Sequence, residues 1–421
     1  MSKKAILVGV NVGGRDEEFI YSMEELRNLT YACHMEVVGE VTQQLERIHQ
    51  TYYIGSGKLS ELTNVVAETG ADVVIFDDEL SPSQIRNLED ACDCEVMDRT
   101  MLILEIFASR AKTKEAQLQV EVARLKYMLP RLIGTGTELS RQGGGAGFKN
   151  RGLGEKKLEL DRRKIEARIA SLNKELEKIK EQRDTQRRSR RKKQIPVVSL
   201  VGYTNAGKST IMNAMVEIFM DNKEKQVFEK NMLFATLDTS VRKIELDRHR
   251  IFLLTDTVGF INKLPHQLIK AFRSTLEEVL EADVIIHVVD YSNPHHEEQK
   301  RLTNELLEEL GVKDTPMIYA YNKADLTDAE YPQIRDNEIW LSAKKRTGIL
   351  ELSRMISQMI FTDFVQCEFL IPYTEGQIVS YLNEHGKVLQ TDYHEEGTKM
   401  LVECSRKVTE QYKDYLLQIV H

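Results

Sequence analysis

The sequence predicts an α/β chain in four parts: a small parallel α/β domain, a long antiparallel helical hairpin, a second and larger α/β domain, and a small α+β module. Three observations predict it. Short apolar runs alternate with helical patterns over 1–110 and again over 194–364. Between these stretches, two heptad-patterned segments flank a glycine-rich one. The last residues, 365–421, combine a short helical pattern with alternating segments.

In the first part, 5–12, 35–41, 71–76 and 94–97 read as strands, and 17–32, 58–69 and 82–90 as helices. This βαβα rhythm predicts a mostly parallel sheet flanked by helices. In the second part, Leu118, Val122, Leu125, Leu129 and Leu132 recur at spacings of four and three. Leu158, Ile165, Leu172 and Ile179 recur every seven residues, with Ile169 and Leu176 between them. Such repeats form a seam against another helix. The segment 134–154 holds eight glycines, so the two helices are expected to form a hairpin with a glycine-rich tip at 111–193. Its second arm, of roughly 28 residues, would span about 42 Å. Pro196 ends the arm. The apolar runs 197–201, 251–255, 284–290 and 317–321 then read as buried parallel strands, with a further strand at 240–246. The C-terminal part reads as a strand at 369–372, a helix near 377–384 and two alternating segments.

Composition narrows the class. A chain of 421 residues with 41% hydrophobic residues can bury several cores. No apolar run approaches the roughly 18 residues of a membrane span. The N-terminal run meets Arg15 and three acids without a small-residue cleavage site, so it reads as a first strand and not as a signal peptide. The five cysteines are scattered. Cys92 and Cys94 form a lone C-x-C without a second ligand pair, which points to reduced thiols and not to zinc. The net charge is −8, but it is segregated: 141–193 carries 19 Lys+Arg against 8 Asp+Glu, a net +11, leaving −19 for the rest. The hairpin ends in Arg187-Arg188-Ser189-Arg190-Arg191-Lys192-Lys193, and its tip carries Arg141, Lys149 and Arg151. A long basic hairpin suits an RNA cavity, where its cations meet phosphates. The plainer reading is a solvated helical face with a linker.

Gly202-Tyr203-Thr204-Asn205-Ala206-Gly207-Lys208-Ser209-Thr210 fits G-x4-G-K-S between an apolar run and a helical pattern, the context this phosphate-binding loop requires. Its backbone N–H groups can point at phosphate oxygens, assisted by the helix dipole. Lys208 is placed for the β/γ-phosphates and the Ser209 hydroxyl for Mg²⁺. Asp256-Thr257-Val258-Gly259 ends a strand. Asp256 there can reach Mg²⁺, and the Gly259 N–H can meet a γ-phosphate. Asn322-Lys323-Ala324-Asp325 follows the strand 317–321. Guanine presents two adjacent donors, N1–H and the 2-amino group, which the Asp325 carboxylate can accept, while Asn322 and Lys323 hold the loop and cover the base. Leu341-Ser342-Ala343-Lys344 can bring a backbone N–H to guanine O6. The larger α/β part is thus a P-loop GTPase domain with GTP/GDP and Mg²⁺ as ligands. Its loops in register resemble the translation-factor-type GTPases.

Phe234-Ala235-Thr236-Leu237-Asp238-Thr239-Ser240 lies where GTPases of this kind carry a mobile loop whose threonine completes Mg²⁺ coordination. F-x-T-L resembles related ribosome-linked GTPases, which favours Thr236 over Thr239; a polar turn before the next strand is the bland alternative. Lys208, Thr236 and Gly259 are then the catalytic candidates. After D-x-x-G, many GTPases carry a Gln that orients the attacking water. Phe260 stands here and cannot do so, so slow intrinsic hydrolysis or a partner-supplied group is expected.

Over nearly its whole length the chain resembles the HflX family of ribosome-associated GTPases. The resemblance rests on the loops 202–209, 234–238 and 256–260, on Asp77-Asp78-Glu79-Leu80-Ser81-Pro82 and on Ser140-Arg141-Gln142-Gly143-Gly144-Gly145. Phe260 is itself expected in this family. The resemblance implies GTP-dependent binding to the large ribosomal subunit and its rRNA, a hairpin tip reaching toward the peptidyl-transferase region, and splitting of stalled or idle ribosomes under stress. The scattered cysteines point to a cytoplasmic protein, no lipidation signal or basic membrane helix speaks for membrane association, and a monomer without a DNA partner is expected. Some members are described as binding ATP through the N-terminal domain. Gly55-Ser56-Gly57-Lys58 could serve as a phosphate loop or simply cap the helix that follows. Two other functions stay open: ATP-driven RNA remodelling by the N-terminal domain, and a GTP-dependent signalling scaffold.

Overall fold

Ala5, Ile6, Leu7 and Val8 are all fully buried, because the strand they form is covered on both faces. In the computed structural model, which describes residues 2–139, 148–192, 195–220, 240–247, 250–263, 278–362 and 364–420, this strand is β1 (Lys4–Val12). It lies inside a four-stranded parallel sheet of order β2-β1-β3-β4, with β2 at Glu36–Leu45, β3 at Val73–Phe76 and β4 at Glu95–Asp98. Period-two alternation divides β1 between two cores. Ala5 and Leu7 meet Met23, Leu26 and Leu29 of α1 (Asp16–Ala32) and Leu102, Ile103, Ile106 and Phe107 of α4 (Arg99–Arg110). Ile6 and Val8 meet Leu62 and Val66 of α2 (Ser56–Thr69) and Ile85 and Leu88 of α3 (Pro82–Cys92). Helix α3 begins with a capping box between Ser81 and Gln84 and a proline in its first turn. Gly55 is the N-cap of α2, and its N–H donates to Gln43 Oε1 at 2.9 Å.

The heptads make the expected seam between α5 (Lys114–Leu139) and α6 (Phe148–Lys192). Leu118, Val122 and Leu172 are buried there, with Leu125, Ile169, Leu176 and Ile179 packed against them. Arg183 pairs with Glu115 at 3.0 Å and Arg168 with Glu121 at 2.9 Å, so the arms run antiparallel. The second arm exceeds the expected length. Helix α6 has 45 residues, about 68 Å at 1.5 Å per residue, because the glycines at its start do not interrupt it. The tip segment 140–147, with Arg141, lies outside the described residues. Helix α5 is fastened to the first sheet through Asp98, at the end of β4, which accepts from Arg131 at 2.8 Å and from the Tyr127 hydroxyl.

The second sheet has seven strands in the order β10-β11-β9-β8-β5-β7-β6. They are β5 (Val197–Gly202), β6 (Ser240–Glu245), β7 (Ile251–Asp256), β8 (Val284–Asp290), β9 (Met317–Asn322), β10 (Gln333–Arg335) and β11 (Glu338–Trp340). All pairings are parallel except the edge pairs β6–β7 and β10–β11. One face packs on α7 (Lys208–Phe219) and α9 (Ile349–Ile360). The other packs on α8 (His296–Leu310), and its core runs without a break into that of the first sheet through Tyr203, Val258, Phe260 and Ile261. A third, antiparallel sheet has the order β13-β14-β12-β15: β12 (Phe364–Ile371), β13 (Lys387–His394), β14 (Gly397–Ser405) and β15 (Leu416–Val420). It carries α10 (Gly376–His385) and α11 (Arg406–Gln411) on one face. Arg250 links it to the second sheet by reaching Glu403 and, at 3.2 Å, Ser357.

Candidate functional site

Strand β5 neighbours β8 on one side and β7 on the other, so the chain leaves its carboxyl end at a topological switch point, where open α/β sheets bind ligands. The loop 202–207 turns there. Gly202 and Gly207 adopt φ of +143° and +97°. At Gly207 the close approach decides the residue type, since a Cβ would lie 2.1 Å from Asn322 Nδ2. Helix α7 starts at Lys208 and directs its first N–H groups into the loop. Lys208 is buried. Its Nζ donates to the carbonyls of Gly202 and Tyr203 at 3.0 and 2.8 Å. Burial pulls its ammonium down to about 8, and the Asp256 carboxylate opposes part of that shift.

The D-x-x-G segment lies directly against this loop. Ser209 Oγ donates to Asp256 Oδ2 at 2.6 Å. Thr257 Oγ1 turns inward and donates to Leu200 O at 2.7 Å, which fixes the segment to β5. Thr204 N donates to Phe260 O at 2.7 Å and Phe260 N to Gly202 O at 3.1 Å. Gly259 is so close that a Cβ would fall 2.8 Å from Thr204 Cα and 3.0 Å from Lys208 Nζ. The Phe260 side chain is buried in the core shared with the first sheet. The donors at Ser209 and Asp256 are the hard oxygens that Mg²⁺ takes, and the Thr204 hydroxyl, in the same loop, is buried without a partner among the described residues. The residues therefore fit a metal-bound phosphate group.

Asn322 ties the 322–325 loop to both of its neighbours. Its Nδ2 donates to Ala206 O at 2.9 Å, and its Oδ1 accepts from Ala343 N at 3.0 Å. Lys323 follows at φ +63°, with its Nζ 2.7 Å from Asp290 Oδ2. Asp325 sits half-buried on the 3-10 turn Ala324–Leu326. Ser342 and Ala343 are buried, Lys344 is exposed, and Arg346 clamps this loop to Glu217 of α7 at 2.6 Å. The structure thus brings 202–210, 256–259, 322–325 and 342–344 around one end of the sheet. Thr236 and Thr239 lie outside the described residues.

One feature escaped the sequence reading. Tyr203, read as a phosphate-loop residue, points its ring away from that loop into the first domain. Its hydroxyl bonds Glu25 and accepts from Asn262 N at 2.6 Å. Arg99, fully buried, pairs with Glu25 and, at 2.7 Å, with Asp77, and it donates to Asn262 O at 3.3 Å. Lys263 bridges Asp77 and Asp78 at 2.5 and 2.7 Å. Burial raises the Glu25 carboxyl despite Arg99. At Asp77 burial pushes the same way, but Arg99 and Lys263 outweigh it and hold the carboxyl below its usual range. Apart from Tyr203, only Asp77 and Asp78 of this cluster had a signal in the sequence, as part of the family resemblance, and it carried no role.

Residues 20–108 match the family described as GTP-binding GTPase N-terminal, 110–190 the GTP-binding GTPase Middle Region, and 197–323 the 50S ribosome-binding GTPase. The GTPase HflX of Caldanaerobacter subterraneus subsp. tengcongensis is 44% identical over 415 residues, 99% of this chain and 94% of that one. That of Lacrimispora saccharolytica is 43% identical over 400 residues, 94% and 92% of the two chains. The crystal structure of a GTP-binding protein from the archaeon Sulfolobus solfataricus in complex with GDP covers 86% of this chain and 99% of its own, at 26% identity and a TM-score of 0.45. Identity of two-fifths or more, sustained over nearly the full length of both sequences, is that of members of one family: this chain belongs to the GTPase HflX family, binds GTP and GDP, and hydrolyses GTP.

Proposed function

We propose that this GTPase, in its GTP state, binds the large ribosomal subunit and its rRNA and splits stalled or idle ribosomes under stress. The observation that carries the reading is the hairpin. Its second helix is 45 residues long, its arms are joined by a zipped seam, and its charge is strongly positive in a chain that is otherwise acidic. Such an arm presents cations to phosphates at a distance from the folded domains. The match of 197–323 to the 50S ribosome-binding GTPase family supports the same partner.

In this reading 202–210 wraps the phosphates, with Lys208 at the β- and γ-groups and the Gly259 N–H at the γ-group. Ser209, Asp256 and Thr236 hold Mg²⁺, and Asn322, Lys323, Asp325 and 342–344 hold guanine. Bound Mg²⁺ supplies positive charge to the β/γ-oxygens. The buried Phe260 ring cannot orient water, so hydrolysis is slow until a partner completes the site. The chain divides into functional parts at 1–110, 111–193, 194–364 and 365–421 and works as a cytoplasmic monomer. Among the described residues no helix is long and apolar enough to cross a membrane.

Sedimentation with ribosomes tests the proposal. The protein is loaded with a non-hydrolysable GTP analogue or with GDP, alongside a variant lacking 141–147. The analogue form is expected to co-pellet with large subunits and to shift intact ribosomes toward free subunits, and the deletion to abolish the shift. An analogue form that ignores ribosomes at moderate salt would overturn the ribosomal role.

A further inference from the structure

Asp290 closes β8, and its two carboxylate oxygens serve different partners. Oδ1 accepts from the N–H and the hydroxyl of Ser292, at 3.2 and 2.6 Å, and so shapes the turn into α8. Oδ2 accepts from Lys323 Nζ at 2.7 Å. The pair is partly sheltered, with side-chain exposures of 15% and 23%, so water screens it less than an open surface pair. Its surroundings are fixed. Tyr291 N donates to Asn322 O at 2.9 Å, and the Tyr291 ring stands edge-on to Tyr321 and Trp340. Trp340 stacks on Tyr321, the residue before Asn322, with centroids 4.9 Å apart.

A lysine has many rotamers, and one whose stem must cover a base needs its head anchored. Asn322 anchors the loop backbone; it does nothing for the Lys323 side chain. We infer that Asp290 is a positioning residue for guanine-nucleotide binding: its carboxylate holds the Lys323 ammonium so that the aliphatic stem lies ready over the base, while Asp325 reads the base edge. The inference rests on reading 322–325 as the base loop. Because Lys323 contacts the base face and not its edge, Asp290 tightens binding of every purine that Asp325 accepts and leaves the choice among them unchanged.

The test is the release rate of a fluorescent GDP analogue from the full chain, with the Asp290→Asn, Lys323→Ala, double and Ser292→Ala variants. Asp290→Asn keeps an acceptor for Ser292 and removes the partner of Lys323. It is expected to speed release about tenfold, the scale of a charge-assisted hydrogen bond. Lys323→Ala should do the same, and the double variant should release no faster than Lys323→Ala alone. The ratio of GDP to IDP affinity should not move, and Ser292→Ala should match the parent. Unchanged emission from Trp340, the chain's single tryptophan, shows that the sheet behind the loop is intact. If Lys323→Ala speeds release while Asp290→Asn does not, or if the two effects multiply, the positioning role is overturned and the base loop stands. If Lys323→Ala leaves release unchanged, the reading of the base loop falls, and the positioning role with it.

Discussion

Lys208 is enclosed at the foot of the phosphate loop, and burial lowers its ammonium to about 8. Phosphate oxygens favour the protonated form, so nucleotide binding raises that pKa and takes up a proton above pH 8. Affinity for GDP is therefore full below about pH 8 and falls as pH rises through it, by up to about tenfold per unit. Calorimetric titration between pH 7 and 9.5, in buffers of different ionisation enthalpy, measures both the affinity and the proton uptake. A flat profile without proton uptake would show that Lys208 is already fully charged in the free protein. Phe260 illustrates a different residue-scale point. Its backbone is zipped to the phosphate loop and its ring is buried between two domains. The residue after D-x-x-G is thus part of the packing between the two domains.

Among the elements, the hairpin depends on a thin seam. Among the described residues only Leu118, Val122 and Leu172 are buried in it, and the exposed ion pairs along the arms contribute little individually. Leu172→Ala should therefore cost about 2–5 kcal/mol. Urea unfolding followed by helical circular dichroism would report it as earlier loss of the α5–α6 signal, with GDP affinity unchanged. A loss below about 1 kcal/mol would show that the arms are held chiefly by the anchorage of α5 on Asp98. The length of α6 follows from local physics. Its polar faces pair Glu and Arg four residues apart, as in Glu159–Arg163 and Arg162–Glu166, which supports a helix where the partner arm covers only one side.

At the scale of the whole molecule, Arg99 joins the first domain to the nucleotide domain. Arg99→Met would leave Glu25 without its cation and Asp77 with only Lys263, at a cost of about 3–5 kcal/mol at neutral pH. In the variant the Glu25 carboxyl, already raised by burial, would rise further without Arg99, so its folded form keeps stability below the unfolded pKa and loses it as pH rises. The deficit in thermal unfolding should accordingly shrink as pH falls from 7 to 5. A deficit independent of pH would mean that packing, and not uncompensated charge, sets the cost. Because Asn262 and Lys263 lie three and four residues after Gly259, the same substitution reports how firmly the two domains share that loop.

Much of this architecture is written locally. The segments 202–210, 256–259 and 322–325 and the heptads of 118–179 are each carried by neighbouring residues, so spacing alone reveals them. So is the burial of β1, whose continuous apolar run requires cover on both faces. Other features have no local trace. Helix α4 hides inside a nearly continuous apolar stretch after β4. The strands β10 and β11, three residues each, are too short for a periodicity. The bond between Tyr203 and Glu25 joins residues 178 apart. The sequence by itself determined the family, the guanine-nucleotide chemistry and the order of the domains, because each depends on a short stretch of backbone presenting its own groups. Only the tertiary structure decided that Tyr203 and Phe260 face the first domain, that Arg99 ties that domain to the D-x-x-G loop, and that Asp290 holds Lys323. Buried charges take whichever partners the packing brings within reach, and spacing along the chain does not encode that choice.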